Sequence, residues 1–226
     1  MATQGYLLID KPKNLTSHDV INILRKITGV KKIGHAGTLD PNATGLLIVG
    51  IGREFTKKLG YFASQVSKEY EAEIILGETR DTFDAEGAVI RVNSLVPSSD
   101  QVKLVLEKKI GRQKQIPPKF SAIKIQGRKA YELARKGESF MLEPRDVMVH
   151  SIDLLDYNYP KLKLLLKVSS GTYIRSLAND IGDMLGCGAY LNELRRTKIG
   201  KYSVYEADKL ENIKPENWQG FVRLEI

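Results

Sequence analysis

The alternation of apolar and polar residues predicts a chain of mixed helices and strands. Residues 5–10 (GYLLID) form a short apolar run, which is typical of a buried strand leading into a loop. Apolar residues then recur at helical spacing over residues 17–28. Capping side chains at 16–17 precede this stretch and Gly29 follows it, so the pattern predicts an amphipathic helix.

Residues 33–45 break this regular pattern. They are rich in Gly, Pro, Asn and Thr and show neither helical nor strand periodicity, whereas the apolar residues 46–51 that follow predict a buried strand. Long loops between well-formed elements of a compact domain are often functional. The segment is therefore the first candidate for a site.

The rest of the chain continues the mixed pattern. Tyr70, Ala72, Ile74 and Leu76 alternate with Glu71, Glu73 and Ile75. Tyr70 should therefore share the mostly apolar face of a strand. Further along, the pattern predicts a helix over 98–110, a strand over 121–125, a helix over 129–136, extended runs over 145–157 and 161–170, and a helix over 172–185. In the last helix Arg175 falls at the edge of the buried face, from where it can point into a cleft.

Composition narrows the class of protein. Thirty-five Lys and Arg against 27 Asp and Glu give a net charge of +8, and 42% of the residues are hydrophobic, which excludes a disordered chain. The sequence has no apolar run of the roughly 18–20 residues that a bilayer span needs, and it shows no signal peptide. A cytoplasmic location is therefore expected. The basic balance favours an anionic partner such as RNA, DNA or acidic lipid.

Metal and disulfide chemistry are not expected. Cys187 is the single cysteine, and His18, His35 and His150 lie far apart in the sequence. We therefore predict no metal site and no internal disulfide.

The segment Gly34–Gly45, GHAGTLDPNATG, contains one acid, Asp40. Pro41 favours an extended Asp40, and the glycines permit positive φ and the close approach of a bulky ligand. Such a loop can present a single carboxylate for chemistry, or it can be a turn in which Asp40 caps the next element. Neither the phosphate-loop nor the dinucleotide-binding glycine pattern is present.

Several motifs together resemble one family, the TruB-type tRNA pseudouridine synthases. The motifs are LLIDKP (7–12), GHAGTLDPNATG (34–45), KEY (68–70), TRDTFDAEG (79–87), PPKFSAIKIQGRKAYELAR (117–135), GTYIR (171–175) and LGCGAYLNELRRTKIG (185–200). The resemblance implies an α+β fold with a central mixed, mainly antiparallel sheet flanked by helices and an RNA-binding cleft. It also implies isomerisation of uridine to pseudouridine at position 55 in the TΨC loop of tRNA.

The resemblance also implies roles for individual residues. Asp40 matches the catalytic aspartate, which acts as nucleophile or base, and Arg175 matches the arginine that pairs with it. Tyr70 matches the active-site tyrosine that stacks on the target base, although a core tyrosine would show the same strand pattern. His35 matches a histidine that fills the gap left when the uridine flips out of its stack.

Weaker assignments follow from the same resemblance. Lys11 and Pro12 would support the catalytic loop, Lys124 would shape the pocket and Leu194 would pack against the base. The reaction is a redox-neutral isomerisation, so no cofactor is expected.

Two basic clusters are candidates for RNA contact, although a charge run is more often a solvated face. The first comprises Arg112, Lys114, Lys119, Lys124, Arg128 and Lys129, and the second comprises Arg195, Arg196 and Lys198.

We expect a catalytic domain over 1–204 and a short C-terminal tail over 205–226, in place of the further RNA-binding domain that the family commonly carries. Binding would then use the TΨC arm of tRNA alone, with no membrane, no obligatory protein partner and a monomeric chain. Three alternatives compete with this interpretation: a subunit of a guide-RNA pseudouridylation particle, an RNA binder or tRNA-folding chaperone, and a DNA-binding regulator. Neither a helix-turn-helix nor a zinc-finger pattern supports the last.

Overall fold

The computed structural model describes residues 3–225, which divide into two compact units. Unit 1 comprises the chain up to Glu71 and from Glu193 onward, and unit 2 is Ala72–Asn192. Both units combine helices with strands, which confirms the predicted α+β class. Within residues 3–225, every helix is too short or too polar to cross a membrane.

Unit 1 is built on a mixed sheet. Its elements in chain order are β1 (Gly5–Lys11), α1 (Ser17–Thr28), β2 (Ile33–Ala36), β3 (Thr44–Ile51), α2 (Arg53–Ser64), the start of β4 (Lys68–Leu76), the end of β12 (Ala189–Ile199), β13 (Tyr202–Ser203) and β14 (Asp208–Lys209). Strands β14, β1, β3 and β12 lie side by side, while β2 pairs with β3 and β13 with β12. Pairs β14/β1 and β3/β12 are parallel, and β1/β3, β2/β3 and β12/β13 are antiparallel.

Helix α1 follows the local signals in the sequence. The side chain of Thr16 accepts a hydrogen bond from the amide of Asp19, and the Asp19 carboxylate accepts one from the Thr16 amide, so the helix begins with a capping box. The helix ends at Gly29, which adopts a left-handed φ of 69°. Its apolar face contributes Val20, Ile21 and Leu24 to the core.

The two faces of β1 supply two cores. Leu7 and Ile9 pack on one face with α1, whereas Tyr6 and Leu8 pack in a second cluster with α2, because successive side chains of a strand point in opposite directions. Trp218 belongs to the first of these cores. The C-terminal tail therefore packs into unit 1, where it forms β14 and three 3₁₀ helices (Val204–Glu206, Leu210–Asn212 and Trp218–Phe221).

Unit 2 is mainly antiparallel. Its elements are the end of β4, β5 (Glu78–Arg80), β6 (Val89–Val92), α3 (Ser99–Lys108), β7 (Gly111–Gln115), β8 (Lys124–Ile125), β9 (Arg128–Lys129), α4 (Ala130–Arg135), β10 (Arg145–Asn158), β11 (Lys161–Val168), α5 (Ile174–Leu185) and the start of β12. Strands β4, β11, β10 and β7 are neighbours in that order. The β5/β6 and β8/β9 pairs form separate two-stranded sheets.

Several elements differ from the prediction: no strand was predicted at β5, β6, β7, β12, β13 or β14. Three further differences have a physical reason. Helix α2 was not predicted, because it begins after Gly52, which has no side chain to cap the helix. Phe55, Leu59 and Phe62 nevertheless lie at helical spacing on its inner face. Residues Ile33–Ala36 form a strand rather than loop because they pair with β3, a contact that local periodicity does not encode. The strand predicted over 121–125 is confined to Lys124–Ile125.

Candidate active site

Asp40 lies on a short loop, residues 37–43, that joins β2 to β3 and is called here the Asp40 loop. Both chain neighbours of Asp40 are anchored. The Ser17 hydroxyl accepts a hydrogen bond from the Leu39 amide (2.8 Å) and is 3.2 Å from the Leu39 carbonyl oxygen, to which it donates. The Pro41 carbonyl oxygen accepts from the Asn14 amide (2.9 Å). A half-buried carboxylate is thus presented from a backbone that is held on either side.

Lys11 supports the same loop from the end of β1. Its ammonium group is fully buried and donates to the carbonyl oxygens of Pro12 (2.9 Å), Leu15 (2.6 Å) and Pro41 (3.2 Å). Burial lowers the pKa of Lys11 to about 8; the negative charge of Asp40 opposes this shift and the positive charge of Arg196 adds to it. Lys11 therefore contacts the Asp40 loop through the Pro41 carbonyl oxygen.

Arg196 is the largest fully buried side chain of the described chain, with 1% of its surface exposed. Its Nε donates to the Leu46 carbonyl oxygen (2.8 Å) and its Nη2 to the Gly37 carbonyl oxygen (3.1 Å). The sequence analysis placed Arg196 in an exposed basic cluster for RNA contact. The structure corrects that placement, because this guanidinium faces inward and holds backbone.

His35 and Tyr70 lie on strands of unit 1. His35 stands on β2 opposite Val49, and burial lowers the pKa of its imidazole, with a further decrease from the positive charge of Arg196. Both effects favour the neutral form of the imidazole. Tyr70 is buried on β4.

Arg175 lies in the first turn of α5 in unit 2, and its side chain is buried. Its Nη1 lies 3.2 Å from the Asp84 carboxylate and its Nη2 donates to the Phe120 carbonyl oxygen (3.0 Å). Asp84 is itself held by the Thr82 hydroxyl (2.6 Å). The sequence analysis did not single out Asp84, although it lies in the TRDTFDAEG segment that carried part of the resemblance.

Most of the remaining predicted residues are exposed, and some of them also contact other side chains of the protein. Arg112, Lys114, Lys119, Lys124, Lys198 and Pro12 are exposed, and Leu194 is half-buried. Arg128 forms two hydrogen bonds with Glu138, and Lys129 lies 3.4 Å from the Tyr131 hydroxyl. Lys198 contacts Glu69, and Arg195 binds both carboxylate oxygens of Asp10 (3.0 and 2.7 Å). These four basic side chains must leave or share an existing partner in order to bind a phosphate.

Residues 3–225 contain no cluster of three or more His, Cys, Asp or Glu side chains arranged to hold a metal ion. Among the residues around the Asp40 loop, sequence reasoning missed Ser17, which looked like a capping residue of α1. Its hydrogen bonds to Leu39 join positions that are distant in sequence, so no local signal identifies them.

Comparison with known proteins assigns the chain to a family. A sequence model of the TruB family pseudouridylate synthase N-terminal domain matches residues 25–174, and one of the tRNA pseudouridylate synthase B C-terminal domain matches residues 175–220. A tRNA pseudouridine synthase B from Chlamydia pneumoniae is 47% identical over 203 residues, covering 90% of this chain and 86% of that protein. One from Protochlamydia amoebophila is 47% identical over 199 residues, covering 88% and 75%.

Solved structures agree in fold. A Cbf5-Nop10-Gar1 complex contains a chain that is 27% identical, with a TM-score of 0.73 over 99% of this chain. An H/ACA RNP bound to a substrate RNA containing 2′-deoxyuridine gives 28% identity and a TM-score of 0.68 over 93% of this chain. This chain spans 60% and 52% of the lengths of those two chains. From the two family matches and the close relatives, the chain belongs to the TruB family of pseudouridylate synthases.

Proposed function

We propose that this protein converts uridine 55 in the TΨC loop of tRNA to pseudouridine, with Asp40 as its catalytic residue. The observation that carries the proposal is the Asp40 loop, in which both chain neighbours of one carboxylate are anchored by Ser17, Lys11 and Asn14. The relatives that are called tRNA pseudouridine synthase B support the substrate class.

The reaction needs one carboxylate and no redox partner. The N1–C1′ bond of the uridine breaks, the uracil turns, and a C5–C1′ bond forms. The hydrogen on C5 leaves as a proton and N1 gains one, so atoms and electrons balance. An ionised Asp40 attacks the sugar as a nucleophile or removes a sugar proton as a base. A carboxylate held within a fraction of an ångström of its working position suits either role.

The target uridine must leave the stacked loop of the RNA before it reaches the carboxylate. In our proposal Tyr70 stacks on the extruded base and His35, as a neutral ring, occupies the gap it leaves. Leu194 packs against the base and Lys124 shapes the pocket. Pro12, next to Lys11, completes the support of the Asp40 loop. Arg175, which Asp84 holds within unit 2, keeps the charge-pairing role that the family resemblance implies.

The basic side chains supply binding to the tRNA backbone. Arg112, Lys114 and Lys119 are exposed and carry positive charge that can meet phosphates directly. Arg128, Lys129 and Arg195 would contribute after exchanging their present partners. Because each neutralised phosphate releases counterions, affinity for tRNA should fall steeply with salt. We expect a monomer that acts on the TΨC arm of tRNA without a protein partner.

The test is release of tritium from C5 of labelled uridine in an unmodified tRNA transcript. The wild type should release tritium and Asp40→Asn should not, while both bind tRNA with similar affinity because the substitution is nearly isosteric. Asp100→Asn is the matched control, since the Asp100 side chain is 96% exposed on α3. It should behave as the wild type. A transcript with cytidine at position 55 should release no tritium.

Turnover of Asp40→Asn within about tenfold of the wild type would refute the assignment of Asp40. Release from the transcript with cytidine at position 55 would refute the proposed position. Binding of tRNA by the wild type with no release of tritium would instead favour the RNA-binding or chaperone alternative.

A further inference from the structure

One side chain, Arg196, bonds to the backbone both at the start of the Asp40 loop and in β3 just after it. Gly37 begins the loop and Leu46 lies just after it in β3, and the carbonyl oxygens of both accept hydrogen bonds from the Arg196 guanidinium (3.1 and 2.8 Å). A single planar group therefore spans the backbone on the two sides of Asp40. Neither carbonyl can move away without losing its bond.

Two glycines of the Gly34–Gly45 segment, Gly37 and Gly45, lie close to Arg196. At Gly45, with φ of +102°, an added Cβ would lie 2.3 Å from the Arg196 carbonyl oxygen and 2.8 Å from its amide nitrogen. At Gly37, with φ of +81°, the nearest atom to an added Cβ is Nη1 of Arg196, at 3.4 Å. The backbone of the segment approaches Arg196 more closely than a larger residue at Gly45 would permit.

Strand pairing fixes where this arginine stands. Strands β3 and β12 run parallel, with Arg195 opposite Thr44 and Arg196 opposite Gly45. Alternation along β12 then turns the two arginines to opposite faces. Arg195 reaches Asp10 with 37% of its side chain exposed, whereas Arg196 is buried beneath the loop.

The burial of a permanent charge makes this arrangement specific. A guanidinium removed from water needs partners for its donors, and two donors of Arg196, Nε and Nη2, bond to backbone carbonyls. A lysine carries a point charge on a flexible stem and does not reproduce a rigid two-carbonyl bridge. Contact with an RNA phosphate would require Arg196 to leave both carbonyls.

We propose that Arg196 is a positioning residue of the isomerisation, which holds the backbone before and after Asp40 so that the Asp40 carboxylate stays at its reacting position. The inference rests on the proposed function of Asp40. It assigns Arg196 to catalysis through the loop, and not to binding of tRNA.

Single-turnover kinetics with tritium-labelled tRNA will separate these roles. Arg196→Lys should lower the rate constant of isomerisation by about 100-fold, the penalty expected for a misplacement on the order of 1 Å, with tRNA affinity within about twofold of the wild type. Arg195→Met, in contrast, should weaken tRNA binding, because it removes a partly exposed positive charge.

Hydrogen exchange provides a readout that does not depend on activity. The Leu39 amide donates to Ser17 and the Ala43 amide to the Asp40 carbonyl oxygen (2.8 and 3.1 Å). Both amides should exchange at least about tenfold faster in Arg196→Lys. Ile213→Ala is the stability control, because Ile213 is buried in the core of unit 1. It should lower stability without changing the saturated rate constant.

The inference is overturned if Arg196→Lys retains a rate constant within about threefold of the wild type, or if it loses tRNA affinity instead of rate. It is also overturned if Ile213→Ala loses rate to the same degree, since the effect would then be general destabilisation. If the wild type releases no tritium but Arg196→Lys still speeds exchange of Leu39 and Ala43, the proposed function fails while the structural role of Arg196 stands.

Discussion

Replacing Gly45 by alanine tests how closely β3, just after the Asp40 loop, packs against β12. The substitution introduces one methyl group at a buried position where the backbone has φ of +102°. Its Cβ would overlap three backbone atoms of Arg196, at 2.3, 2.8 and 2.9 Å. Backbone atoms of a paired strand cannot rotate aside as the end of a flexible side chain can, so β3 or β12 must shift.

The magnitude follows from two contributions. A left-handed conformation at a residue with a Cβ costs about 1–2 kcal/mol. Forcing a methyl group into a well-packed interior costs about a further 1–3 kcal/mol. Gly45→Ala should therefore lower the free energy of unfolding by about 2–5 kcal/mol.

Two other glycines separate these contributions. Gly29 at the end of α1 has φ of +69° with no atom within 4 Å of an added Cβ, so Gly29→Ala should show the conformational cost alone. Gly60 in α2 has free space as well and no positive φ, so Gly60→Ala should stabilise by about 0.5–1 kcal/mol.

Urea unfolding followed by fluorescence will measure all three variants, because the single tryptophan, Trp218, lies in the core of unit 1. The reasoning is refuted if Gly45→Ala is no more destabilising than Gly29→Ala. In that case the close approach of the loop to Arg196 would carry no energetic weight.

Three further predictions concern the support of the site and the tail. In a pH–rate profile, the single-turnover rate should fall as pH rises through about 8, the value to which burial lowers the pKa of Lys11. Above that pH the neutral Lys11 amine has two N–H donors for three carbonyl oxygens. Lys11→Arg, which stays charged, should lack this decrease. Arg175→Lys should reduce turnover by at least about tenfold, since a lysine cannot hold both Asp84 and the Phe120 carbonyl, and near-normal turnover in the tritium assay would show that these bonds are dispensable. Trp218→Ala should lower the free energy of unfolding by about 3–5 kcal/mol in urea unfolding followed by circular dichroism, since this variant has no tryptophan, whereas a loss below about 1 kcal/mol would mean that the tail is not part of the core.

The elements that the sequence predicted well are those with local signals. Helix α1 combines a cap at Thr16, a helical apolar stripe and a glycine stop, all within fourteen residues, and the structure forms it between the predicted ends. Helix α2 has the apolar stripe but begins after Gly52, and without a capping side chain it was missed. The short strand β2 was missed because its regularity comes from pairing with β3.

For the candidate site, the sequence by itself indicated one segment as the candidate: a glycine-rich stretch with one acid, Asp40, in the setting of a recognisable family. It could not determine what surrounds that acid. Arg195 and Arg196 are identical in charge and adjacent in sequence, and only the strand pairing of β12 decides that one faces solvent and the other lies beneath the loop. Ser17 and Lys11 likewise act through partners that lie 22 and 30 residues away. Such contacts depend on which faces are covered when the chain folds, and that is a property of the tertiary structure alone.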